Sequence, residues 1–242
     1  MTRFIPNFIT LLNLLCGVFA VFMAIHGHWE TAAYLIFFGA LFDFADGFAA
    51  RALKAYSEIG KQLDSLADLI SFGFAPAAIW SNMMYSLKFA STNQSFFNMS
   101  LINQIIVMSP FILVAFAALR LAKFNVDTRQ SENFLGLTTT ATGIFTASFV
   151  LLLKSPSATA LQNILSPTFI IIAIAIFSSL LVSEIPMFSL KFKTYGWQGN
   201  APRYTLLIAG LILIGILGWG GISILILLYI LFSIVANMTQ KN

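Results

Sequence analysis

Charge is scarce in this chain. Only 9% of its 242 residues are Asp, Glu, Lys or Arg, whereas 59% are hydrophobic and the mean hydropathy is +0.88. A soluble domain carries about 25% charged residues, so a water-facing globule is excluded and an integral membrane protein is expected. Cysteine is scarcer still. Cys16 stands alone, which rules out an intrachain disulfide and a cysteine-built zinc site; inside an apolar run it reads as a small packing residue. The net charge of +4 is modest, and no nucleic-acid partner is expected. Internal repeats and low-complexity tracts are lacking. So is the alternation of apolar and polar residues that marks a barrel strand, which leaves helices as the spanning elements.

Apolar runs of roughly 17–22 residues, enough to cross a bilayer, begin near Asn7, Thr31, Leu63, Ile105, Leu137, Pro167, Tyr204 and Ile222. The last two are separated only by Gly218-Trp219-Gly220-Gly221, which predicts a tight hairpin. The expected fold is all-α: a polytopic membrane helix bundle of about eight transmembrane helices, or six or seven on a stricter count, forming one integral membrane domain over residues 1–242. Arg3 and the apolar run after it have the outline of a signal peptide. Asn7, Thr10 and Asn13 interrupt that run and no convincing cleavage site follows, so it reads as a retained first span.

Orientation follows from Lys and Arg. With a cytoplasmic N-terminus, eleven cations fall on the cytoplasmic side (Arg3, Arg51, Lys54, Lys61, Arg120, Lys123, Arg129, Lys191, Lys193, Arg203 and Lys241) and two, Lys88 and Lys154, on the other. Positive residues favour the cytoplasmic side, so both termini are expected there. His26, His28 and Glu30 fall at the opposite end and read as an exposed loop rather than a metal site.

Against this background four carboxylates gather in one window. Asp43 and Asp46 stand three residues apart, and Asp64 and Asp68 four apart, so on helices each pair shares a face. Each would cost about 2.5–3.5 kcal/mol at the centre of a membrane helix, less at the cytoplasmic end where the topology puts them. Ionisable groups at such positions mark functional sites. Four carboxylates balance two hard divalent cations, which prefer oxygen ligands. Two such ions held close together clamp a diphosphate during an in-line displacement. Gly47 lets a ligand approach the backbone, and Arg51, one turn on, can reach phosphate oxygens with its planar fork. These residues describe phosphoryl transfer at a membrane surface.

The window reads D-x2-D-G-x2-A-R-x8-G-x3-D-x3-D, with Asp43, Asp46, Gly47, Ala50, Arg51, Gly60, Asp64 and Asp68 at its eight fixed positions. It resembles the signature of the CDP-alcohol phosphotransferase family. The resemblance implies a six-helix catalytic core, here residues 1–190 with a C-terminal helical hairpin over 191–242, that uses two Mg²⁺ or Mn²⁺ ions to displace CMP from a CDP-linked lipid. It implies that Asp43, Asp46 and Asp64 are the main metal ligands. Asp68 would complete the metal site and act as general base on the acceptor hydroxyl. Gly47, Ala50, Arg51 and Gly60 would lie along the cytidine diphosphate, joined by Asn7 and Thr10, whose alternative is ordinary helix-start bonding.

Within the family, Pro6 to Asn13, Asp64 to Gly73 with Ala75-Pro76, and Leu119 to Asn125 are similar to bacterial phosphatidylserine synthases. The family's glycerol-phosphate branch usually has Pro where Ser65 stands. Phe134 to Thr138 departs from the resemblance, which implies prolines near Thr138 and Thr140. The implied substrates are CDP-diacylglycerol and L-serine, in a bacterial cytoplasmic membrane, with a homodimer plausible among relatives. Serine brings a carboxylate and an ammonium, so Arg120 or Lys123 could take the carboxylate, with Asn125, Ser65 and Ser71 as helpers. Headgroup anchoring is the alternative for the two cations. Glycerol 3-phosphate, inositol phosphate or another alcohol is the alternative acceptor. An ion pathway is the remote alternative to an enzyme.

Overall fold

The protein, seen in a computed structural model, is described over residues 4–89, 95–127, 134–187, 196 and 200–240. Arg3, Arg129, Lys191, Lys193 and Lys241 lie outside the described residues. Helix α1 (Phe4–Ile25) and helix α2 (Trp29–Ala52) form an antiparallel pair joined by a short turn at Gly27. Their 22 and 24 residues give rods of about 33 and 36 Å at 1.5 Å per residue, matched to a hydrocarbon core of about 30 Å.

Helix α1 is built inside out relative to a soluble helix. Its buried residues are Pro6, Thr10, Asn13, Gly17, Ala20 and Ala24, a stripe of small and polar side chains with alternating spacings of four and three. Phe4, Phe8, Leu11, Leu15, Val18, Phe19 and Phe22 are exposed. Lipid tails are as apolar as leucine, so large side chains gain nothing by leaving them. Small ones let helix backbones approach.

Helix α3 (Glu58–Asp68) starts at Ser57, whose hydroxyl accepts from the Gly60 N–H at 3.0 Å. It runs through a π-helical segment, Leu69–Phe74, into α4 (Ala75–Phe89). The sequence puts Pro76 just beyond this segment. Proline has no N–H for the Phe72 carbonyl and its ring crowds that carbonyl, so local widening of the helix relieves both. Two glycines grip the widened turn. A Cβ on Gly17 would lie 2.7 Å from the Ser71 Cα, and one on Gly143 would lie 3.0 Å from the Phe72 Cα.

Helices α5 (Leu101–Met108) and α6 (Ile112–Val126) are joined through a 3-10 turn that contains Pro110. Helix α7 (Thr139–Leu153) is the most enveloped rod, with eleven of its 15 residues buried. Its N-cap is Thr138, whose hydroxyl accepts from the Ala141 N–H at 3.2 Å. At this point, where the family resemblance implies proline, a hydroxyl cap starts the helix instead. The short α8 (Thr159–Ile164) leads to α9 (Pro167–Val182), capped by Ser166.

Strand β1 (Phe134–Leu135) pairs antiparallel with β2 (Pro186–Met187), a two-residue ladder that ties the start of α7 to the end of α9. Helices α10 (Ala201–Leu217) and α11 (Gly221–Gln240) turn back on each other at Gly218–Gly220, as the glycine run predicts. Helix α11 packs on α7, and the Trp219 ring lies 5.6 Å from that of Phe37.

Among the described residues, five helical stretches are long and apolar enough to cross a membrane: α1, α2, Glu58–Phe89, Leu101–Val126 and Arg203–Asn237. Helices α7 and α9 are shorter apolar rods. Because Arg203–Asn237 contains the hairpin, the eight runs read from sequence correspond to these rods, six of them before the hairpin. The core is aromatic and methionine-rich, with Phe72, Trp80, Met83 and Met84 at most 2% exposed. Trp80 donates its indole N–H to the Thr146 hydroxyl at 3.0 Å. Thr146→Val removes that acceptor while keeping the shape. The buried N–H left behind should lower stability by about 1–3 kcal/mol, read as a reduced unfolding temperature in detergent.

Candidate active site

Helix α2 ends and α3 begins at the same end of the bundle, and this places the acids. Oxygens of Asp43, Asp64 and Asp68 lie within 4.8 Å of one another. Asp46 does not join that group. Three residues advance a helix by about 300°, about 60° short of a full turn, so Asp46 stands beside Asp43 on the side towards α1 and still interacts electrostatically with Asp43 and Asp64. It is 6% exposed and lies beside Thr10. Three of the four carboxylates thus meet within 4.8 Å of one another, and the fourth, Asp46, stands beside them.

Three like charges at this separation repel by roughly 3 kcal/mol per pair at an effective dielectric of 20. A cation among them reverses the sign of that energy. The Asp46 Oδ2 is buried without a hydrogen-bond partner, an expensive condition for a carboxylate oxygen. An all-oxygen donor set with an orphaned oxygen beside it fits a hard divalent cation. Among the described residues it is the one group of three or more potential ligands that could hold a metal. His26, His28 and Glu30 form no such group; Glu30 pairs with Lys154 at 2.8 Å on an exposed surface at the far end of α2.

Asn13 holds Asp68. Its side-chain amide donates to Asp68 Oδ1 at 3.4 Å, and its backbone carbonyl accepts from the Ser71 hydroxyl at 2.9 Å. Both Asn13 and Ser71 are fully buried. Ser71, expected from sequence to help an acceptor, fastens the π segment to α1 through this bond. Asn13 was legible only as a polar interruption, although it continues the Pro6–Thr10–Gly17 stripe.

Next to the acids opens a cavity of about 550 Å³. Asn7, Thr10, Asp46, Gly47, Ala50, Gly60 and Asp64 all line it, so the expected nucleotide-side residues other than Arg51 share one wall. Thr10 also donates to the Pro6 carbonyl at 3.0 Å, so the ordinary helix bond coexists with its place in the wall. Gly60 approaches Asn7: a Cβ there would lie 3.0 Å from Asn7 Oδ1. Arg51 is exposed at the end of α2 beside Gly47. Tyr56, Ser57 and Lys61 complete the rim. Tyr56 and Ser57 were not singled out as binding groups from sequence, because loop residues carry no periodic signal, and Lys61 was read only as a topology signal.

On the other side of Asp68, Arg120 is 8% exposed and interacts with it electrostatically. Its guanidinium donates to the Thr139 hydroxyl at 3.4 Å and lies 5.1 Å from the Phe124 ring centre. Asn125 donates to the Ser65 hydroxyl at 2.8 Å, while Lys61 donates to the Asn125 carbonyl at 2.9 Å. This bridge fixes α3 against α6. Lys123 is exposed.

The acids thus stand between a large cavity and a buried cation. The chain matches the CDP-alcohol phosphatidyltransferase family model over residues 3–181. It is similar to CDP-diacylglycerol–serine O-phosphatidyltransferase of Bacillus subtilis strain 168, 33% identical over 136 residues, 56% of this chain and 68% of that protein. Archaetidylserine synthase of Methanothermobacter thermautotrophicus is 32% identical over 183 residues, covering 75% of this chain and 68% of the relative. The Helicobacter pylori strain 26695 CDP-diacylglycerol–serine O-phosphatidyltransferase is 30% identical over 149 residues, or 61% and 57%. A match that spans α1 to α9 and contains every acid of the cluster shows that this chain belongs to the CDP-alcohol phosphatidyltransferase family.

Proposed function

We propose that the protein is a CDP-diacylglycerol–serine O-phosphatidyltransferase that makes phosphatidylserine and CMP. The observation that carries this reading is the placement of Asp68. It belongs to the acid cluster, yet it does not line the large cavity and instead neighbours the buried Arg120. One side of the cluster is thereby free for a nucleotide diphosphate and the other for a small acceptor bearing a carboxylate. The names of the relatives supply serine.

Asn7, Thr10, Gly47, Ala50 and Gly60 line the cytidine diphosphate, and Arg51 reaches its phosphates from the rim. The acyl chains remain in the bilayer. Asp43, Asp46 and Asp64, completed by Asp68, would hold Mg²⁺ or Mn²⁺, which would neutralise charge on the diphosphate. Asp68, positioned by Asn13, takes the proton of the serine hydroxyl. The hydroxyl oxygen attacks the phosphorus that carries diacylglycerol, the bond from that phosphorus to the bridging oxygen breaks, and CMP leaves with the electron pair. Arg120 orients the serine carboxylate with its planar fork. The excess of Lys and Arg on one side supports a site at the cytoplasmic face, with both termini on that side, and bacterial relatives support a bacterial cytoplasmic membrane as the setting.

The test supplies CDP-diacylglycerol with Mn²⁺ or Mg²⁺ and compares CMP release on adding serine, glycerol 3-phosphate or inositol phosphate. Serine should be preferred by at least about tenfold, because a site whose buried polar groups match one acceptor leaves them unpaired with another. Inactivity with serine and activity with another alcohol would replace the acceptor while leaving the family reaction in place.

A further inference from the structure

A second, smaller crevice lies beyond Arg120. It has about 30 Å³ of internal space, and its wall includes Arg120, Lys123, Asp127, Leu135, Ser183 and Glu184. That space has room for about two water-sized groups, the size of an ammonium and the edge of a carboxylate rather than of the whole molecule. Its lining is mixed in sign: two cations from α6 and two carboxylates, one from the end of α6 and one just after α9. A phosphorylated acceptor would meet repulsion from those carboxylates. A zwitterion meets a partner for each of its charges.

The wall carrying Glu184 is held firmly. The Gly136 N–H donates to the Ile185 carbonyl and the Leu137 N–H to the Leu180 carbonyl, both at 2.9 Å. Strand β2 pairs with β1, and Asn237, from the last turns of α11, donates its amide to the Pro186 carbonyl at 2.6 Å. Val182, Ser183 and Glu184 lie beyond the 3–181 stretch shared with the family at large. A specificity element placed there can differ between members that share the reaction.

Resting on the serine reading above, we propose that this crevice is the acceptor's ammonium and carboxylate subsite. Arg120 receives the carboxylate; Glu184, with Asp127, receives the ammonium. The hydroxymethyl group is left outside the crevice, towards Asp68. Serine is thereby distinguished from hydroxy acids that lack the ammonium and from amino alcohols that lack the carboxylate.

The experiment measures CMP release by the purified full chain in mixed micelles, with serine and with 3-hydroxypropionate, which is serine without its ammonium. Glu184→Gln should raise the KM for serine about tenfold or more, the scale of one charge-assisted hydrogen bond. It should leave kcat and the KM for CDP-diacylglycerol within about twofold of wild type. Asp127→Asn should act in the same direction, and Glu184→Asp should retain most of the serine affinity. Weak use of 3-hydroxypropionate should be the same in wild type and Glu184→Gln. An unchanged serine KM in both neutral variants, or an equal loss with both acceptors, would overturn the subsite. A wild-type protein inert with serine would overturn the function proposed above and this inference with it.

Discussion

Asp68→Asn lowers the rate of CMP release by about 10²–10⁴-fold, the contribution of a positioned general base, while most of the affinity for CDP-diacylglycerol survives. The two halves of this result come from different geometry. Asp68 lies with Asp43 and Asp64 in the acid cluster but does not line the large cavity, whose wall is made by α1, α2, the turn after α2 and the start of α3. Asparagine keeps the size of the side chain and can still contact the Asn13 amide, so the helices need not move. What it cannot do is take a proton. Single-turnover CMP release and binding of the CDP-lipid, measured on the same preparation, separate the two effects. Wild-type turnover in the variant would remove Asp68 from the role of base.

Gly17→Ala should be nearly as damaging to activity, although it touches no substrate-facing atom. The added Cβ would lie 2.7 Å from the Ser71 Cα and 2.8 Å from the Ser71 nitrogen, both backbone atoms. No rotamer change relieves such a contact, so α1 must separate from the π segment. Overpacking of this kind costs about 1–3 kcal/mol. The same displacement loosens the Ser71–Asn13 and Asn13–Asp68 bonds. A loss of about a hundredfold in kcat follows from misplacing a catalytic group by about 1 Å, together with a lower unfolding temperature. Gly215→Ala is the control. A Cβ there meets nothing within 4 Å, and alanine is the better helix former by about 1 kcal/mol. Equal loss in both variants would show that glycine flexibility, not the close approach, matters at Gly17.

Much of the architecture was legible because lipid imposes a simple rule. Continuous apolar runs give rods, and the Gly218–Gly221 turn gives the hairpin. The acid window was legible for the converse reason, that carboxylates stand out in an apolar chain. The position of Asp46 against α1 at the edge of the cluster was not, since spacing limits which face a residue occupies but not which neighbouring helix that face meets. The π segment was hidden as well. Leu69–Phe74 has an ordinary composition, and the only local sign is Pro76 following it. Asn13 and Ser71 show a third kind of blindness. Both are polar residues beside the site, but their bonds connect positions 58 residues apart, which no local pattern reports. Glu184 escaped notice because its significance depends on α6 and β1 converging on the end of α9.

The inside-out stripe of α1 also bears on the order of events during synthesis. Asn13 emerges 55 residues before its partner Asp68. At translation rates of 5–20 residues per second, that interval is about 3–11 s. Throughout it, α1 resides in the bilayer with its amide unsatisfied by the native contact, or with α2 alone as company. Helix α1 therefore waits for α3 before its amide meets the catalytic acid. Assembly of the acid centre is a docking event between helices already inserted, and the small residues of α1 leave the groove into which α3 and the π segment settle.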